Sequence, residues 1–188
     1  MTKNNILKYI TITVLLTALA VGWRVVNFKY GIAPNFEIVT TVSVLAAITL
    51  GLQAAVIVPI ATMIVSDLII GNTSIFVYTW SAFAVIGLGA LLLRKLNSKP
   101  KIQILSSIGF AAASSFLFFI VTNFGVWAQG WYPATVAGLI DCYTMALPFY
   151  RTMLIGNLIL VPAAVSIYQL ARYYQTSKIL VVDTLVRK

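Results

Sequence analysis

Residues 102–122 read IQILSSIGFAAASSFLFFIVT, a stretch without a single charged side chain. A helix needs about 20 residues, rising 1.5 Å each, to cross a hydrocarbon layer of about 30 Å. This run supplies them, and the chain repeats the pattern in both directions. Further apolar runs cover residues 6–26, 36–50, 54–70, 75–93 and 152–173. Between them stand Gly31 and Pro34, then Gly51, then Gly71-Asn72-Thr73-Ser74, and then the basic loop from Arg94 to Lys101. Glycine, proline and small polar clusters of this kind punctuate helices.

Composition explains why the runs cannot belong to a soluble core. Of the 188 residues, 61% are hydrophobic and only 9% are charged. Soluble domains carry roughly 25% charged residues, and a domain this small has too little interior to hide so much apolar surface. The fold class that follows is all-α: a polytopic membrane protein, one transmembrane domain with six helices. The second run is short for a straight span. The six runs use up the chain, so a separate soluble catalytic or nucleotide-binding domain is not expected.

Residues 123–151 are too many for a hairpin and too apolar for a free loop. Pro133 marks a helix start and Pro148 a helix end, with Val136, Leu139, Ile140, Tyr143 and Leu147 at helical spacing between them. The pattern predicts a short outer-face helix before the last span. Residues 174–188 are read as a cytoplasmic tail.

Lys and Arg decide the orientation through the positive-inside rule. Six crossings place ten of the thirteen basic residues on the side of the N-terminus, and only Arg24, Lys29 and Arg151 on the other. Both termini are therefore expected in the cytoplasm and the chain in the cell's inner (plasma) membrane, with the lipid bilayer as its solvent. Lys3, Lys8 and the small residues Ala18-Leu19-Ala20 also resemble a cleavable signal peptide. The apolar run continues beyond them to Val26, which favours a retained helix. The net charge of +9 is thereby a matter of topology, and nucleic acid is not expected as a partner.

Histidine is absent and Cys142 is the single cysteine. The usual general base, the usual zinc ligand and an internal disulfide are thus excluded. No H-E-x-x-H, Walker A or G-x-S-x-G motif is present. No enzymatic activity and no cofactor are expected. Cys142 beside Asp141 has the chemistry of a soft-metal ligand, but a lone cysteine more often fills apolar space.

The remaining polar residues gather toward one side. Asp67 is an ionisable group inside an apolar run, where such groups face a cavity or a partner. It either pairs with Arg24 or Arg151 at the helix end or lines a cavity. Arg24 and Asn27 share a helix face; Arg24 either snorkels to the interface or donates to a ligand anion. Asn35 and Glu37 open the second run, where Asn35 also suits an N-cap. Trp80, Asn123, Trp127, Tyr132, Asp141, Tyr143 and Arg151 complete the candidate ligand-binding set. Flat aromatic surfaces with a few directional polar groups are the mix of a small-molecule pocket. The four tryptophans, Trp23, Trp80, Trp127 and Trp131, also fit a plain interfacial belt, with Tyr9, Tyr168, Tyr173 and Tyr174 serving the other face. With three positive and three negative charges on this side, a neutral, zwitterionic or weakly charged ligand is favoured. Small residues at Ala18 and Gly22, Gly87 to Ala90, and Gly109 to Ser115 mark close helix contacts, internal or to a partner.

Several segments together resemble a group of uncharacterised bacterial membrane proteins. They are Arg24-x-x-Asn27, Ala33-Pro34-Asn35-Phe36, Val58-Pro59-Ile60 leading to Ser66-Asp67-Leu68-Ile69-Ile70-Gly71, Asn123-Phe124-Gly125-Val126-Trp127, Tyr132-Pro133, Gly138-Leu139, Cys142-Tyr143 and Ala146-Leu147-Pro148-Phe149. That group is in turn similar to the substrate-binding (S) components of energy-coupling-factor vitamin transporters. The resemblance implies six helices and a vitamin-like nutrient or cofactor precursor held near the outer face. It also implies association with a transmembrane coupling protein and two cytoplasmic ATPases. Many S components dock that partner through A-x-x-x-A in the first helix; here Ala18 is followed at four by Gly22. The alternative from another class is a non-transporting membrane scaffold or assembly partner. A self-contained carrier is less favoured, because no internal repeat and no midplane charge pair is evident.

Overall fold

The computed structural model describes residues 3–186, and their side chains through residue 177. Seven helical segments follow in chain order: α1 (Lys3–Tyr30), α2 (Val39–Thr49), α3 (Leu52–Ile70), α4 (Phe76–Gly89), α5 (Leu91–Arg94), α6 (Pro100–Ala128) and α7 (Val136–Val186). No strand occurs among the described residues. α5 continues α4 as one rod after a single break at Ala90, so the bundle has five helices long and apolar enough to cross a membrane, plus the short α2.

α2 is the exception for a physical reason. Its 11 residues span roughly 16 Å, about half of the hydrocarbon thickness. It needs no more, because neighbours cover it: eight of its residues are buried. It supplies Val44, Ala47 and Ile48 to one core cluster, Val42 and Ala46 to a second, and Val39 to a third. A half-length helix is tolerated at membrane depth where protein, not lipid, surrounds it.

The expected short outer helix over the block 123–151 is replaced by a different arrangement. α6 runs on to Ala128, a turn follows, and α7 then continues unbroken from Val136 to Val186. Pro148 does not end the helix, and of the segment predicted as a tail residues 174–186 belong to α7, residues 187–188 lying outside the described residues. Proline is carried within membrane helices because hydroxyls and neighbouring helices compensate the disturbed backbone. The carbonyls that Pro148 and Pro162 leave free are those of Thr144 and Leu158, four residues earlier, whereas Thr152 and Ser166 donate to the proline carbonyls themselves, at 3.2 and 2.7 Å. The 51 residues of α7 measure roughly 76 Å at the helical rise, well beyond one hydrocarbon layer.

The bundle has two unlike ends. At the basic end the open carbonyls of the α2 C-terminus are capped from three directions. Ala47 O accepts from Arg94 at 3.3 Å, and Ile48 O accepts from Asn97 at 3.0 Å and from Tyr168 at 3.3 Å. Gln103 and Gln169, both buried, join the same network. Among the small-residue stretches, Gly87 is an internal contact: a Cβ there would lie 2.0 Å from the Ala55 carbonyl oxygen. Gly22 on α1 has nothing within 4 Å of that position. The opposite end carries Glu37, Asp67 and Asp141.

Candidate functional site

At the carboxylate end, the last turns of α1 and α3 meet through one guanidinium. Arg24 Nη1 donates to Glu37 Oε1 and Nη2 to Asp67 Oδ1, each at 3.0 Å. Nε donates to Ser66 Oγ at 2.8 Å. Asp67 Oδ2 accepts from Trp80 Nε1 at 2.8 Å, which ties α4 into the same knot. The three charged side chains retain only 12%, 15% and 9% of their exposure. Of the two partners foreseen for Asp67, Arg24 is the one it has. Arg151 is exposed and lines a shallow depression with Leu147 and Thr152.

The segment between α1 and α2 is shaped by Asn27. Its Nδ2 donates to Ala33 O at 2.9 Å and to Phe36 O at 3.3 Å, and its Oδ1 accepts from Ala33 N at 2.9 Å. Trp23 Nε1 donates to Phe36 O at 2.7 Å. The buried amide of Asn27 is therefore committed to the loop backbone. Asn35 sits in that loop at φ 58°, a left-handed conformation that asparagine tolerates better than most residues. It is not the N-cap of α2, which is Ile38. Glu37 lies in the same connection, outside the helices. Burial pushes its carboxyl above the ordinary carboxylate range; Arg24 pulls it down, and Asp67 adds to the rise. Its Oε2 is buried without a partner among the described residues.

One cavity adjoins this knot and a second lies beside the first. The first, about 640 Å³, is walled by Arg24, Asn27, Asn35, Glu37 and Asp67, with Met63, Phe83 and Phe118 among its apolar lining. The second, about 490 Å³, is walled by Phe118, Phe119, Thr122, Asn123, Trp131 and Tyr132 from α6 and the following turn, and by Cys142, Met145, Phe149, Tyr150 and Met153 from α7. Asn35, Thr79 and Phe118 line both. These shared residues set a polar cavity beside an aromatic one, as two adjoining lobes of a chamber. Trp131 helps to roof it, reaching Ser74 Oγ at 3.2 Å.

A family model described as "Family of unknown function (DUF6580)" matches residues 4–179, which include every element that builds this chamber. The chain belongs to the DUF6580 family. No curated protein and no solved structure matches it.

Of the residues expected at the site in this DUF6580 chain, Arg24, Asn27, Asn35, Glu37, Asp67, Asn123 and Tyr132 line the chamber, and Trp80 bonds to its wall. Four do not. Trp127 donates to Pro133 O at 3.0 Å and so braces the turn. Tyr143 donates to Ile120 O at 2.7 Å, between helices. Asp141 is exposed, as is Arg151. On α7 the face of Cys142, Met145, Phe149 and Met153 meets the cavity, which leaves Asp141, Tyr143 and Arg151 on other faces of the helix. Cys142 is buried, lines the aromatic lobe and lies 3.4 Å from the Asn123 carbonyl. No cluster of three His, Cys, Asp or Glu side chains occurs among the described residues.

Sequence patterns alone missed Ser66 as a partner of Arg24, and Thr79, Phe83, Phe118, Phe119 and Thr122 as chamber lining. Two pairs carried a usable signal: Thr79 with Phe83, and Phe118 with Thr122, each four apart and hence on one helix face.

Proposed function

We propose that this protein binds a small, vitamin-like nutrient or cofactor precursor in the two-lobed chamber and serves its uptake. The observation that carries this is the chamber itself: a charged lobe and an aromatic lobe that share Asn35, Thr79 and Phe118. Its lobes fall within the roughly 300–1,000 Å³ of small-molecule sites, mostly apolar with a few directed polar groups. Asn35, exposed and without a hydrogen-bond partner among the described residues, stands where a ligand would span both lobes. One cation between two carboxylates, one of them with a raised affinity for protons, suits a neutral, zwitterionic or weakly charged ligand.

On the positive-inside rule the chamber faces outward and both termini lie in the cytoplasm of a cell whose inner membrane holds the chain. As in the S components that the chain resembles, delivery inward would rely on a transmembrane coupling protein and two ATPases. The uncovered Ala18–Gly22 face of α1 supports such docking, since small residues let helices approach closely. Mass spectrometry of small molecules that co-purify with the full chain in mild detergent tests the proposal. A stoichiometric heterocyclic compound supports it. A chain that is empty, shows no thermal shift with nutrient mixtures and holds a stable polypeptide partner supports the scaffold alternative instead.

A further inference from the structure

A second site lies at the basic end, away from the chamber. α1 packs on α2 and α3, whereas α7 packs on α2 and α6. Between α1 and α7 one strip of α2 is only partly covered, with Thr41 and Leu45 half-buried and Thr49 exposed. It consists of Thr41, Leu45 and Thr49, the only α2 residues that are not buried, and their spacing of four puts them on one face. The furrow over this strip is closed at the carboxylate end by Phe36, which meets Trp23 edge-on at 5.6 Å. Its ring also lies 3.0 Å from where a Cβ on Gly156 would stand. At the basic end the furrow opens into a cavity of about 530 Å³, lined by Lys8, Tyr9, Thr49, Tyr168, Arg172 and Gln175 among others.

Among the described residues no carboxylate lines this cavity. Lys8 comes from α1 and Arg172 from α7, so two cations face one space without a counter-ion. Arg172 is held in place: Nη1 donates to Asn97 O and the guanidinium lies 5.7 Å from the Tyr168 ring. Its remaining N–H groups have no partner among the described residues. The Tyr9 hydroxyl, also at this wall, is buried without one. Guanidinium and ammonium groups so placed fit a phosphate, which accepts from both. The furrow adds a length of about 16 Å along the 11 residues of α2. Thr49 turns its hydroxyl back onto the Leu45 carbonyl at 2.5 Å, while the Thr41 hydroxyl is buried without a partner among the described residues. A free anion would use the cations and leave the furrow empty; a lipid uses both.

We propose that this furrow binds an anionic phospholipid, with the phosphate between Lys8 and Arg172 and one acyl chain along Thr41, Leu45 and Thr49. Basic pockets between membrane helices hold acidic headgroups in this way.

The test is a thermal-shift titration of the delipidated full chain in detergent, with phosphatidylglycerol, phosphatidylcholine, glycerol phosphate and inorganic phosphate as probes. Saturable stabilisation by phosphatidylglycerol alone is expected. Lys8→Gln should weaken it about fivefold, the value of one cation near an acidic headgroup. Lys95→Gln and Lys101→Gln, at the same end but outside the cavity, should not. Arg172→Gln also loses the Asn97 anchor, so Lys8→Gln carries the test, with native mass spectrometry counting the lipid retained. An equal response to phosphatidylcholine, a full response to either free phosphate, or equal weakening by the control variants overturns the proposal.

Discussion

Arg24 and Asp67 are 43 residues apart in sequence, yet their side chains meet at 3.0 Å. That contact sets the relative height of α1 and α3, and Glu37 and Trp80 complete it from the loop and from α4. Removing one member of a largely buried ion pair is costly, because the remaining charge stays desolvated. Arg24→Gln leaves two carboxylates unpaired and should destabilise the bundle by about 3–5 kcal/mol. Arg24→Lys should recover only part of this, since an ammonium lacks the planar fork that reaches Ser66, Glu37 and Asp67 together. Denaturation in detergent, followed by circular dichroism, measures both.

Asn27 and Asn35 are neighbours in the loop with opposite roles, and substitution separates them. Asn27→Ala removes three hydrogen bonds to the Ala33–Phe36 backbone and strands buried polar groups, at a cost of about 1–3 kcal/mol. Asn35→Gly suits the φ of 58° and removes only the side chain. It should leave the melting temperature nearly unchanged and weaken ligand binding about tenfold, a loss on the scale of one hydrogen bond. Thermal unfolding and a binding isotherm on the two variants check the contrast.

Glu37 makes stability depend on pH in a stated direction. Its ordinary value is 4.5, and burial raises it in the folded chain. Between those two values the folded state holds more protons than the unfolded state, so stability falls as pH rises through that window. Glu37→Gln should flatten this dependence. Melting temperatures of both proteins from pH 4 upward decide it; equal slopes would place the raised affinity elsewhere.

Gly87 and Gly22 should respond oppositely to added volume. Gly87→Ala puts a methyl 2.0 Å from the Ala55 carbonyl oxygen and forces α3 and α4 apart, at a cost of about 1–3 kcal/mol. Gly22→Leu meets open space and should leave the isolated chain intact. If α1 docks a coupling protein there, the same change should abolish co-purification of that partner while ligand binding persists.

The long spans were legible because length and apolarity alone identify them, and residues 102–122 lie wholly within α6. The shortness of the second run was also legible, but not its cause, since burial of α2 by four neighbours is a tertiary fact. The block 123–151 was misread at Pro148. A proline breaks a helix in water but not necessarily one inside a bundle, and no local pattern distinguishes the two. Asp141, Tyr143 and Arg151 were expected in the chamber from their residue types, but α7 presents Cys142, Met145, Phe149 and Met153 to it instead. Arg24, Glu37 and Asp67 were identifiable because charges beside apolar runs are rare. Phe118, Thr122 and Thr79 were not, because aromatic and threonine residues also face lipid.

The central claim is that the two lobes form one ligand chamber, and Thr79 stands where they join. The deciding measurement is the amount of small molecule bound per chain in the wild type and in Thr79→Trp, by mass spectrometry on protein of equal thermal stability. The account predicts a stoichiometric compound in the wild type and its loss when the junction is filled. An equal amount of bound compound in both proteins would contradict it.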